Sequence, residues 1–193
     1  MDIFGVLYPK KCVGCGVVGK YMCPICKSKI ILFGQSLKYE GVVRKLIKEI
    51  KYRGSYDMVN ELVEMWLDNN SALRKWEDDW IVTSVPMYTT KKKMRGYNQA
   101  EIIARSLAKR WNLEYRELLV RNRETTPMYG LSIDDRSNNV RGAFEINKSL
   151  GLIDVQRVIL VDDVWTTGAT MKECCKVLEK YGVKKVQIVA ISR

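Results

Sequence analysis

Two groups of residues in this 193-residue chain have the types and spacing to do chemistry. The first is R-V-I-L-V-D-D-V-W-T-T-G-A-T, residues 157–170. Val158, Ile159, Leu160, Val161 and Val164 surround two adjacent carboxylates, Asp162 and Asp163. Thr166, Thr167, Gly168, Ala169 and Thr170 then form a small, hydroxyl-rich turn ahead of the helix-like M-K-E-C-C-K-V-L-E-K-Y. The order predicts a buried strand, an acid pair at its carboxyl end, and a loop whose amides face whatever sits before the next helix. Those amides lack internal partners and carry partial positive charge, so the loop suits a phosphate, and Gly168 lets backbone come close. The carboxylates would repel that phosphate and should instead meet sugar hydroxyls, a magnesium ion or a developing positive charge. A strand-to-helix turn with capping threonines is the plain alternative, but two carboxylates at a buried strand end are costly without a ligand.

The second group is at the N-terminus. Cys12-x-x-Cys15 and Cys23-x-x-Cys26, with Gly14, Gly16 and Pro24 in or beside the turns, have the pattern of paired knuckles that give four thiolates to one metal. The expected ion is a structural zinc, because four protein ligands leave no open position for catalysis; a redox dithiol and an iron site are the alternatives. The short gap between the pairs implies a compact ribbon that folds only around the metal. Cys174 and Cys175 fall with Met171, Leu178 and Tyr181 at helical spacing and are expected to pack in a core.

Composition removes several classes of function. The chain has no histidine, which excludes His-based triads, His general bases and His-containing metal sites. No G-x-x-x-x-G-K-[ST] occurs, against a Walker-type NTPase. No charge-free apolar run of about 18 residues exists, and the first residues lack a signal-peptide layout, so the expectation is no membrane insertion and a cytoplasmic location. The formal net charge is +11, unevenly spread: residues 1–55 hold eleven Lys/Arg against three acids, and residues 56–80 hold two against seven. Such an excess suits nucleic acid, a polyanionic small ligand or plain solvated surface.

These groups must be positioned by a scaffold, and hydrophobic periodicity outlines one. Val43, Leu46, Ile47 and Ile50 define a helix with Arg44, Lys48 and Lys51 on its other face, and Met58, Leu62, Met65 and Trp66 define a second, acidic helix. D-W-I-V-T-S-V-P reads as the first core strand and Ala100, Ile103, Ala104, Leu107, Ala108 and Trp111 as the helix behind it. Y-R-E-L-L-V, A-F-E-I, R-V-I-L-V and V-Q-I-V-A-I supply further strands. The alternation predicts an α/β fold with a mostly parallel sheet flanked by helices and a ligand at the carboxyl ends of its strands. Three segments are expected: a four-Cys module over 1–35, helices over 36–78 that pack on the core or form a hood, and an α/β domain over 79–193.

I-L-V-D-D-V-W-T-T-G-A-T resembles the phosphoribosyl pyrophosphate (PRPP) motif of type I phosphoribosyltransferases. That resemblance implies a type I fold in which Asp162 and Asp163 take the ribose hydroxyls with magnesium, and Thr166 to Thr170 take the 5′-phosphate. By position it implies a pyrophosphate loop at Val85, Pro86 and Met87 with Lys91 or Arg95 nearby. It also implies a flexible loop bearing Arg121, Arg123, Arg136 and Arg141, for which a solvated loop is the alternative. The four-Cys module, Y-E-G-V-V-R-K-L-I-K-E-I-K-Y-R-G, R-G-Y-N-Q-A, the R-x-R-x-T-T-P loop ending R-S-N-N-V-R-G-A-F and the PRPP motif together resemble the ComF family of competence-associated, phosphoribosyltransferase-like proteins. The sequence departs from that pattern at Tyr88 and Met128.

The ComF resemblance implies PRPP binding and a role in natural transformation, handling incoming single-stranded DNA in the cytoplasm with competence-machinery proteins. The alternative is an active phosphoribosyltransferase that moves ribose 5-phosphate to an acceptor and releases pyrophosphate. Arg44, Lys48 and Lys51 are the candidate DNA surface. Tyr39, Tyr52, Tyr56, Tyr88 and Tyr97 among the basic stretches offer the mix of stacking and attraction that single-strand binders use, although half-buried core is the commoner place for such residues.

Overall fold

The computed structural model describes residues 9–53, 56–70, 76–126, 132–150 and 154–193. Met128 lies outside the described residues, as do the first eight residues of the four-Cys module. In chain order the elements are α1 (Pro24–Lys27), β1 (Leu32–Phe33), β2 (Ser36–Leu37), α2 (Gly41–Arg53), α3 (Tyr56–Asp68), β3 (Trp80–Ser84), α4 (Thr89–Arg95), α5 (Gln99–Trp111), β4 (Glu114–Tyr115), β5 (Leu119–Arg121), α6 (Ile133–Val140), β6 (Phe144–Ile146), a 3₁₀ turn (Lys148–Leu150), β7 (Arg157–Val164), α7 (Ala169–Lys180) and β8 (Lys185–Ser192).

Apolar β-branched runs make the central strands, and helices cover both of their faces. The main sheet runs β1-β2-β8-β7-β3-β4; every neighbouring pair is parallel except the β1–β2 hairpin. Side chains alternate along β7. Ile159 and Val161 join Val82, Val189 and Ile191 in a core under α2, α3 and α5, whereas Val158 and Leu160 join Ile81 and Ala190 in a second core under α7 and the β5–β6 ribbon. Leu46, Ile47, Leu62, Ile103 and Leu107 of the first core are essentially fully buried, each contributing roughly 1.5–3 kcal/mol relative to exposure. Trp66, Trp76, Trp80 and Trp111 meet edge-to-face there, with centroids 5.1–6.4 Å apart.

The structure corrects two element-level expectations. Y-R-E-L-L-V is not one strand: Tyr115 ends β4 in the main sheet and Leu119 begins β5 in a separate antiparallel ribbon with β6. The chain breaks between them because Arg116 N still donates to Val82 O, whereas Leu118 N turns to the Thr83 hydroxyl. In α7, Met171, Cys174 and Leu178 are buried as expected, but Cys175 is half-buried and Tyr181, just past the helix, is exposed.

The expected boundary at residues 35 and 36 falls inside the β1–β2 hairpin, which extends the main sheet through Leu37 beside Ser192. Ser192 Oγ donates to Leu37 O at 2.8 Å, and Tyr39 N donates to Arg193 O at 2.7 Å. The N-terminal segment is thereby stitched to the last strand of the chain.

Candidate functional site

Asp162 and Asp163 sit at the carboxyl end of β7, where alternation gives them different surroundings. Asp163 continues the face of Ile159 and Val161 and is buried. Lys51 Nζ from α2 lies 2.8 Å from its Oδ2, and Gln99 Nε2 from α5 lies 3.4 Å from the same atom. Asp162 continues the face of Val158 and Leu160 and accepts the Asp163 amide at 2.8 Å. Burial, then the charge of Asp163, pushes the Asp162 carboxyl well above the usual range. Burial opposes the charge of Asp163 too, but Lys51 outweighs it and holds that carboxyl below its ordinary value. Two carboxyl groups share one lysine, so a second cation would be needed to keep both ionised, a donor set that suits a magnesium ion with sugar hydroxyls.

The turn expected to hold a phosphate follows at once. Trp165 N still donates to Ser192 O at 2.7 Å before the chain turns through Thr166 and Thr167. Gly168 then adopts φ 75°, and a Cβ there would lie 2.4 Å from Cζ2 of Trp165, so only glycine fits both the conformation and the indole. α7 starts at Ala169 with no side-chain cap from Gly168; Thr167 Oγ1 approaches Ala169 N only to 3.5 Å. The first-turn amides of α7 therefore face the loop. Thr166 is exposed, Thr167 and Thr170 are half-buried, and Gly168 and Ala169 are buried.

The loop after β3 runs alongside the acid pair. Val85 N donates to Val161 O at 2.9 Å, Pro86 is buried and Met87 half-buried. Lys91 donates to Thr125 O at 3.1 Å with Glu124 3.9 Å away, and Arg95 donates to Gln99 Oε1 at 2.6 Å. An open cleft of about 330 Å³ lies here, lined by Lys51, Tyr52, Lys91, Met94 and Arg95. A larger cleft, of about 720 Å³, runs between α3 and α5, where Lys92 and Arg105 pair with Glu101 and Arg110 with Glu64.

The four arginines expected over the anion have different placements. Arg121 is half-buried on the second core: it donates to the Thr125 hydroxyl, its guanidinium carbon lies 5.4 Å from the Phe144 ring centre, and its buried Nε has no partner. Arg123 donates to Asn139 O and Arg141 O at 3.1 and 2.7 Å, bridging the two ends of the segment that carries α6. Arg136 is half-buried within α6 and Arg141 is exposed at its end.

Of the candidate DNA-surface residues, Arg44 and Lys48 are exposed, whereas the ammonium of Lys51 turns to Asp163. It lies four residues beyond buried Ile47, on the flank of the apolar stripe rather than opposite it, and that spacing was the available signal. Gln99 and Asn98 carried no sequence assignment. Asn98 caps α5 by accepting from Ala100 N at 3.1 Å and donates to Val85 O at 3.0 Å; an Asn just before a periodic helix was the clue. Tyr52 and Tyr56 are exposed, whereas Tyr39, Tyr88 and Tyr97 are half-buried.

The N-terminal module brings Cys12, Cys15, Cys23 and Cys26 together, with all four sulfurs within 4.8 Å of one another. A tetrahedral metal with bonds of about 2.3 Å requires sulfurs about 3.8 Å apart, so the set fits one four-coordinate ion. Backbone amides point at the sulfurs, Cys23 N to Cys12 Sγ and Cys26 N to Cys23 Sγ, each at 3.4 Å. A Cβ at Gly14 would lie 2.6 Å from Cys26 Sγ, so the first knuckle needs glycine to close on the second. Burial opposes the Cys12 thiolate but backbone donors prevail, lowering its pKa to about 6. The hydrogen bond to Cys12 and burial push Cys26 up to about 12. α3 anchors the module: Glu61 accepts Tyr21 N at 3.2 Å and Met22 N at 2.9 Å, and Asp57 and Asp68 pair with Lys10 and Lys27.

The description of the phosphoribosyl transferase domain matches residues 93–193, slightly more than half the chain. The chain belongs to that family, as a ComF-type member whose sheet domain is preceded by a four-Cys module. It is 38% identical over 116 residues to "Competence protein F" of Haemophilus influenzae, covering 58% of this chain and 49% of that protein. It is 28% identical over 113 residues to "DNA utilization protein YhgH" of Escherichia coli, covering 58% and 48%. With "Competence protein ComFC" of Streptococcus pneumoniae it is 24% identical over 183 residues, covering 95% of this chain and 75% of that protein. The chain thus spans about half the length of the first two relatives. Among the described residues, no helix is long and apolar enough to cross a membrane.

Proposed function

We propose that this protein binds PRPP at the end of β7 and acts in competence, handling incoming single-stranded DNA in the cytoplasm. The observation that carries the first part is the junction of Asp162 and Asp163 with the uncapped start of α7 across Gly168. In this reading Asp163 receives ribose hydroxyls, and the amides and hydroxyls of Thr166 to Thr170 hold the 5′-phosphate. Val85 to Met87, with Lys91 or Arg95, and the arginines at 121, 123, 136 and 141 are the candidate diphosphate contacts. Asp162 and Asp163 are the residues that would hold magnesium, whose chemistry there is to neutralise the ligand's charge. The four cysteines would hold a zinc that closes the N-terminal module.

Calorimetric titration with PRPP and magnesium tests the pocket: Asp163→Asn should weaken binding about tenfold or more, measured beside a thermal melt because the change also leaves the Lys51 ammonium without its carboxylate. Unchanged affinity would remove the assignment.

The DNA part rests on exposed Arg44, Lys48, Tyr52 and Tyr56, on the positive balance of residues 1–55, and on the competence and DNA-utilization names of the relatives. A second reading, turnover, is favoured by one feature. The open cleft lined by Lys51, Tyr52, Lys91, Met94 and Arg95 reaches Asp163 through Lys51 and leaves room for an acceptor. Pyrophosphate release in the presence of PRPP and candidate acceptors separates turnover from binding alone.

A further inference from the structure

We infer that Lys51 is a positioning residue of the sugar-phosphate site, holding Asp163 in the orientation that receives a ribose hydroxyl. This rests on the phosphoribosyl reading of that site and adds to it a part from outside the matched region, because Lys51 lies on α2 and the family match begins at residue 93.

Two donors from different helices converge on one oxygen: Lys51 Nζ at 2.8 Å and Gln99 Nε2 at 3.4 Å from Asp163 Oδ2. Two donors fixed on one carboxylate oxygen restrict its side-chain torsion, and a charge-assisted bond is the stronger of the two. Each donor is itself held. Arg95 binds Gln99 Oε1 at 2.6 Å, which leaves the amide nitrogen to face Asp163. The Tyr97 hydroxyl donates to the carbonyl of Ile50, the residue before Lys51. Asn98 donates to Val85 O, in the loop beside the same carboxylate.

Four side chains of R-G-Y-N-Q therefore brace one point, and Lys51 completes the brace from the N-terminal half. The Lys51 side chain is only a quarter exposed, so its charge is directed inward. A ribose hydroxyl approaching Asp163 meets a carboxylate already aimed and charge-balanced, with less ordering left to pay for on binding. The Lys51 ammonium is paired with Asp163, whereas the proposed diphosphate contacts are the loop after β3 with Lys91 or Arg95, so a role confined to Lys51 predicts selectivity among ligand fragments.

The experiment compares PRPP, ribose 5-phosphate and inorganic pyrophosphate by calorimetry on the full chain, with magnesium present. Lys51→Met should weaken PRPP and ribose 5-phosphate about tenfold and leave pyrophosphate unchanged. Lys51→Arg should restore most of the loss, and Lys45→Met, on the exposed face of α2, should change nothing. Because Lys51→Met strands a buried carboxylate, the same substitution is repeated on Asp163→Asn, where it should cost no further affinity. Additive losses, equal weakening of pyrophosphate, or an indifferent Lys51→Met would overturn the role while leaving the pocket assignment standing. A wild-type chain that binds neither PRPP nor ribose 5-phosphate would sink the phosphoribosyl reading, and the role of Lys51 with it.

Discussion

The N-terminal region, residues 9–37, and the sheet region, residues 76–193, are held together by different physics. In the sheet region, long strands alternate their side chains into two cores, and β7 and β8 pair over nearly their whole length. In the N-terminal region the strands are two residues long and α1 is four. Its polar contacts with α3 are a carboxylate on two amides and the half-exposed pairs Lys10–Asp57 and Lys27–Asp68, and such pairs are worth about 0–1 kcal/mol each. The sheet region is stable by burial; the four-Cys module, in the zinc reading proposed for it, depends on an ion. The two are joined by the first core, which takes in Cys12, Met22, Cys23 and Cys26, by the pairing of Leu37 with Ser192 and, through α2, by the reach of Lys51 to Asp163.

That contrast yields predictions in descending order of effect. Cys12→Ser, or removal of the metal by a chelator, should unfold the N-terminal module, since structural zinc in small modules contributes on the order of 10 kcal/mol. Atomic absorption and amide exchange should report loss of metal together with loss of protection over residues 10–30, while β7 and β8 keep theirs; a metal-free chain with full protection would erase the contrast. Gly168→Ala strikes the other region, forcing a Cβ into a left-handed conformation against Trp165. It should lower stability by about 1–3 kcal/mol and weaken PRPP binding in parallel; denaturant melts beside calorimetry would detect both. Glu61→Gln keeps its shape but loses the charge that receives Tyr21 N and Met22 N, and should cost about 1–2 kcal/mol, seen as earlier release of metal on heating. Smallest in stability is Arg44→Glu with Lys48→Glu on the exposed face of α2. It should barely move the melting temperature, yet lower the salt dependence of single-strand binding by up to about two ions. An unaltered slope would take this face out of DNA contact.

The residues that announce themselves along the chain are those whose roles depend on local order. A strand ending in two acids, the Thr-Thr-Gly turn and the start of α7 are contiguous, so β7 and its loop were legible as a unit. The apolar spacing of α2, α3 and α5 was legible too, because a helix buries every third or fourth residue whatever it packs against. Y-R-E-L-L-V misled because strand propensity says nothing of where a strand leaves one sheet for another; the Thr83 hydroxyl that takes Leu118 N made that choice.

The amino-acid order alone determined the kind of site: an acid pair beside a glycine turn at a helix start, and four thiols at metal-binding intervals, because both are written in short spacings. Only the folded chain decided which charge meets which. Asp163 obtained Lys51 and Asp162 did not, since strand alternation turned the two carboxylates toward different faces and a helix more than a hundred residues earlier in the chain reached just one of them.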